Sequence, residues 1–144
     1  MAIAAIVLGI IGGVLQGGAG TLLVRVGTLR LAGLDAVRIL SLSPTDVHDS
    51  AGRWYDSIAS ADFRGAVTRE GFEAWVNRTM SSFGKLQDQR VLPKLRRTRT
   101  GRIEMRLQGQ FANGTKPIEV VLAVQGQQRP RIDDIRVGDS SPRQ

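Results

Sequence analysis

The sequence predicts an α+β fold: an N-terminal transmembrane helix, then two amphipathic helices packed on a three- to four-stranded antiparallel sheet. Three stretches carry that expectation. Residues 1–24 hold no charged side chain, residues 44–83 carry two apolar stripes at helical spacing, and residues 86–137 alternate apolar with polar positions between turn residues. The division that follows is residues 1–24 as the transmembrane helix, 25–43 as a juxtamembrane amphipathic segment, 44–138 as the α+β domain and 139–144 as a polar tail.

The first 24 residues would be about 36 Å long as a helix, enough to cross a hydrocarbon core of roughly 30 Å with some tilt. The apolar run from Ala2 to Leu15 is too short alone, so a span must include the glycine-rich half after Gln16. Ala5, Gly9, Gly13 and Gly17 fall four apart and form one ridge of small residues on a helix. Such ridges let two helices approach closely in lipid, so this is a candidate surface for packing against other transmembrane helices or a second copy. In water each glycine would weaken a helix by about 1 kcal/mol, which favours the membrane reading over a buried soluble element. An export signal is the competing reading. Its usual leading positive charge is missing, since no Lys or Arg precedes Arg25, although Gly18-Ala19-Gly20 resembles a cleavage region.

Twenty Lys and Arg against 13 Asp and Glu give a net charge of +7, which favours anionic partners: nucleic acid, acidic lipid head groups or an acidic protein. Without cysteine the chain has no disulfide and no thiolate metal site.

From Arg25 to Ser43, Val26, Leu29, Gly33, Ala36, Val37 and Leu40 keep a helical spacing. This predicts a short amphipathic helix lying on the membrane surface or against the domain. Alternation over Leu22 to Leu31 leaves a strand as the alternative. Arg25, Arg30 and Arg38 follow the span and no cation precedes it, which by the positive-inside rule places the domain in the cytoplasm.

Ser43-Pro44-Thr45-Asp46 reads as a helix start, with Ser at the N-cap, Pro at the first helical position and Asp facing the helix dipole. Val47, Ala51, Trp54, Tyr55 and Ile58 share its apolar face, and the helix ends near Ala61-Asp62. Phe63 to Val67 reads as a short link or a single helical turn. Thr68 caps a second helix whose stripe is Phe72, Trp75, Val76, Met80 and Phe83, and Gly84 fits the left-handed position that closes it.

The strands follow. Gln87 to Thr98 contains Pro93 and so reads as an edge or bulged strand. Ile103, Met105 and Leu107 alternate with Glu104, Arg106 and Gln108, and Asn113-Gly114 is a strong hairpin signal. Ile118, Val120, Leu122 and Val124 predict a central strand. Ile132, Ile135 and Val137 break strict alternation, which predicts a bulge near Asp133-Asp134.

The run WYDSIASADFRGAVTREGFEAWVNRTMSSFGKL, followed by alternating strands that close on PRIDDIRV, resembles a small nuclear-transport-factor-2-like (cone-shaped α+β) domain. More narrowly it is similar to bacterial membrane-anchored or exported domains of unknown function. The resemblance covers Asp46 to Val137. It implies a curved sheet wrapping the helices around a conical pocket, to which Trp54, Tyr55 and Trp75 would contribute. It also implies export, in conflict with the arginine bias, and tips the reading toward the extracytoplasmic side. Members of that fold include enzymes and plain association modules, so fold alone does not assign an activity.

Candidate chemistry is sparse. One histidine and no cysteine leave no metal site, and no cofactor is expected. His48 beside Asp49 reads as an exposed or capping residue. Tyr55 could act in acid–base chemistry if a protonated carboxyl faced it, as in the ketosteroid isomerase pattern, but no apolar-flanked Asp stands at a matching position. Asp133 or Asp134 is expected to pair with Arg131 or Arg136. Lys94, Arg96, Arg97, Arg99 and Arg102 make a basic hairpin suited to anionic lipid or an acidic subunit. It lacks an aromatic residue for base stacking, which disfavours nucleic acid. The expectation is therefore a non-enzymatic, single-pass anchored interaction domain, an accessory or structural subunit of a membrane assembly. The alternative is a pocket-containing ligand-binding or acid–base enzyme domain that the anchor localises.

Overall fold

A computed structural model describes residues 19–126 and 128–144, with side chains from Val26 onward except Gln127. The proposed span lies mostly outside the described residues, and its ridge Ala5, Gly9, Gly13 and Gly17 lies wholly outside them. Among the described residues no helix is long and apolar enough to cross a membrane.

Helix α1 runs from Ala19 to Val37 and passes into a 3-10 turn at Arg38–Ser41. The alternative strand over Leu22 to Leu31 gives way to this one helix, which runs across the expected segment boundary between Val24 and Arg25. The reason is its buried stripe. Leu29, Ala32, Ala36, Val37 and Leu40 recur at three- and four-residue steps and face the domain core. Gly33 belongs to the same stripe, and a Cβ there would overlap the end of the Met105 side chain on the sheet. The segment therefore packs on the domain.

Helix α2 spans Pro44–Ser57, the short α3 Ala61–Ala66, and α4 Arg69–Phe83. Ser43 does precede α2, but its hydroxyl donates to the Asp46 carboxylate at 2.6 Å instead of accepting a backbone N–H. Thr68 caps α4 as expected, its Oγ1 accepting from the Gly71 amide at 3.0 Å. The link at Phe63 is a helical turn in its own right, capped by Ser60, whose Oγ accepts from the Phe63 amide at 3.0 Å.

Four antiparallel strands follow in meander order: β1 Leu86–Arg97, β2 Ile103–Phe111, β3 Gly114–Ala123 and β4 Arg131–Val137. Strand β1 is an edge with a register shift between Val91 and Leu95, where Pro93 sits. The β3–β4 register steps from Val121↔Asp134 to Leu122↔Ile132, so Asp133 is the extra residue of a bulge. The inner face of the sheet (Met105, Leu107, Phe111, Ile118, Val120, Leu122, Ile132, Ile135, Val137) is buried under the helices. Its outer face carries charged pairs, Arg96–Glu104, Arg106–Glu119 and Arg136–Asp134.

Four aromatic rings fill the space between the helices and the sheet. Trp54 stacks on Phe72 with centroids 4.2 Å apart, Phe63 meets both edge-on, and Phe72 stacks on Trp75 at 5.8 Å. Both indole N–H groups find long-range acceptors. Trp54 donates to the Ala36 carbonyl at 2.9 Å, satisfying a carbonyl in the last turn of α1. Trp75 donates to Ser140 Oγ at 2.9 Å, drawing the residues after β4 onto α4.

Candidate functional site

The residues expected to line a cone are placed in this aromatic layer. Trp75 is fully buried and Trp54 nearly so. Tyr55 is half-buried, and its hydroxyl lies 3.0 Å from the Arg64 carbonyl and 2.7 Å from that of Val67. Both carbonyls belong to the C-terminal end of α3, where helical acceptors lack partners, so the Tyr55 proton is committed to the backbone. A hydroxyl held this way would first have to break that bond before serving as an acid.

The basic hairpin divides in two. Lys94, Arg97 and Arg99 are exposed, and none of the described ion pairs includes them. Arg96 faces Glu104 across the strands at 3.9 Å, a long and mostly exposed contact. Arg102 differs from these four. It folds back from the β1–β2 turn, its Nε 2.5 Å from Asp133 Oδ2, and its Nη2 also pairs with Asp62. The Nε–Oδ2 contact is off the N–H direction, so it acts chiefly as an ion pair.

Asp133 is the centre of this arrangement. The bulge turns it inward beside Ile132, leaving 8% of the residue exposed. Its Oδ1 accepts from Ser60 Oγ at 2.8 Å, and its carbonyl accepts from Arg143 at 2.6 Å. Ser60 thus caps α3 and binds the bulge with one hydroxyl. The expected pairing of a bulge carboxylate with Arg131 or Arg136 is met at Asp134, and Asp133 takes a different cation. Arg131 donates to the Ser57 carbonyl, and Arg136 pairs with Asp134 at 3.3 Å. Sequence spacing found the near-neighbour pair Arg136–Asp134, whereas for Asp133 the tertiary fold supplies Arg102 from another hairpin. With each carboxylate partnered, the cluster ties together α3, the β1–β2 turn, β4 and the last residues of the chain.

His48 stands at the surface, its Nδ1 3.0 Å from both carboxylate oxygens of Glu73 on α4. That hydrogen bond and the negative charge raise the imidazole above its ordinary value. With Asp49, Arg53, Asp56 and Arg69 it borders a shallow, mixed-charge depression. Among the described residues no group of three or more His, Asp or Glu is placed to hold a metal ion.

The comparisons with known proteins found no matching family model, no similar curated protein and no similar solved structure. The functional reading therefore rests on the residues themselves.

Proposed function

We propose that the chain is a non-enzymatic interaction domain, held at a membrane by residues 1–24 as a single-pass anchor and serving as an accessory or structural subunit of a membrane assembly. The observation that carries this reading is the contrast between two sets of cations. On β2 and β4 the outer-face arginines have carboxylates, Arg106 opposite Glu119 and Arg136 beside Asp134 on its own strand, whereas Arg90, Lys94, Arg97 and Arg99 of β1 and its turn are in none of the described ion pairs. Uncompensated exposed charge steers an anionic partner to that end of the sheet. We read the anchor's Ala5/Gly9/Gly13/Gly17 ridge as the second contact, made to another helix or a second copy. We also place the domain among nuclear-transport-factor-2-like folds, on the extracytoplasmic side; three helices followed by a four-stranded meander support that likeness.

The test is the mass of the purified full chain in mild detergent, measured by light scattering. The proposal expects an assembly larger than one chain that is reduced by Gly13→Leu and, separately, by the triple change K94S/R97S/R99S. A lone chain of unchanged mass in all three cases refutes it.

A further inference from the structure

A groove of about 320 Å³ opens between the end of α1, the face of α2 that follows Ser50, and the loop joining β3 to β4. Its floor is apolar, made by Ile39, Leu42, Trp54 and Ile58. Three guanidinium groups, from Arg38, Arg53 and Arg129, stand around it against one carboxylate, Asp35. Asp35 is committed to Arg129 at 2.8 Å and meets Arg38 only at 4.0 Å. Arg38 keeps 77% of its side chain exposed, and Arg53 has only a 3.4 Å contact to Ser50 Oγ. Two cationic forks with spare donors therefore flank an apolar floor.

We propose that this groove binds a soluble, single-chain carboxylate amphiphile, its head between Arg38 and Arg53 and its chain along Ile39, Leu42 and Ile58. Arginine forks match a carboxylate's two oxygens, and the apolar floor supplies a surface for the chain. The volume sits at the small end of ligand sites, which run from roughly 300 to 1,000 Å³, and so favours a short chain over a two-chain lipid.

A lipid still seated in the bilayer is disfavoured by distance, an argument that rests on the anchoring reading. Asp35 is eleven residues beyond Val24 on the continuous helix α1, about 16 Å along its axis. The head-group layer on each side of a bilayer is only about 5–8 Å thick. The groove therefore stands clear of the lipid when α1 runs close to the membrane normal.

The test uses the full chain in nanodiscs of zwitterionic phosphatidylcholine, with methyl labels on isoleucine. Octanoate should shift the Ile39 and Ile58 signals in a saturable manner, and octyltrimethylammonium at the same concentration should not. The double variant R38S/R53S should weaken octanoate binding at least tenfold while the inner-sheet methyls of Ile118 and Ile135 stay in place. Equal shifts with both amphiphiles, or unchanged octanoate affinity in the variant, overturn the proposal. Shifts at Ile39 and Ile58 on replacing phosphatidylcholine with phosphatidylglycerol, without octanoate, identify a bilayer lipid as the occupant and also overturn it. A chain that stays dispersed without lipid would remove the anchoring reading; the octanoate titration then runs in plain buffer with the same criteria.

Discussion

Removing the Arg102 guanidinium while keeping its aliphatic bulk, as in Arg102→Met, isolates the charge cluster at the β4 bulge. The Asp133 carboxylate would then retain the Ser60 hydroxyl at 2.8 Å but lose its only ion-pair partner among the described residues. Leaving a buried carboxylate without its partner costs about 3–5 kcal/mol when both groups are fully enclosed. Here the Asp133 side chain is 11% exposed and Arg102 29%, so water screens part of the loss. The Asp62 contact, whose carboxylate is 68% exposed, adds little. The expected cost is about 2–3 kcal/mol, on the order of a 10 °C fall in Tm for a domain of this size. Chemical denaturation of wild type, Arg102→Met, Asp133→Asn and the double variant supplies a thermodynamic cycle. The pair should show a coupling of about 1.5 kcal/mol or more, with the double variant less damaged than the sum of the singles. Additive singles, or an Arg102→Met cost below about 0.5 kcal/mol, would refute the view that Arg102 is an internal tie.

Three further outcomes can be checked. Gly84 closes α4 at φ 79° and ψ −176°, a region open almost only to glycine, and a Cβ there would approach Ala112 Cβ to 2.6 Å; Gly84→Ala should cost about 2–3 kcal/mol in urea unfolding. Trp54→Phe keeps most of the ring but strips the hydrogen bond from the buried Ala36 carbonyl, and should lower stability by about 1–3 kcal/mol in the same assay. His48 is the single histidine of the chain, so its imidazole signals are unambiguous in an NMR titration. Its midpoint should lie above about 6.5 and fall back in Glu73→Gln. Because the folded value is raised, the stabilisation from this pair is fully present below the unfolded value near 6.5. It is lost as pH rises through the folded one. A midpoint that Glu73→Gln leaves in place would remove the ion pair as the cause.

Much of the fold is legible without coordinates because it is written in short-range periods. The stripe from Leu29 to Leu40, the Thr68 cap, the Asn113-Gly114 hairpin and the alternation of Ile103 to Leu107 each need only their own neighbours to be read. Even the bulge at Asp133 is visible as a break in alternation. The Ser43 cap was legible in position and differed in chemistry: its hydroxyl donates to the Asp46 carboxylate and accepts from no backbone N–H.

The pairing of distant polar groups was decided by tertiary structure alone. Arg102 looks like one more cation of the basic hairpin until Asp62 and Asp133, 40 residues before it and 31 after it, close around it. Trp54 and Trp75 read as apolar stripe residues, while their N–H partners lie 18 and 65 residues away. Tyr55 reads as a pocket residue until α3 folds back and takes its hydroxyl. Backbone period and the need to bury one face act locally, so the sequence by itself determined α2, α4, the strands and the faces they bury. Which charge meets which depends on how those elements dock, and that separates the spent cation Arg102 from the free ones at Lys94, Arg97 and Arg99.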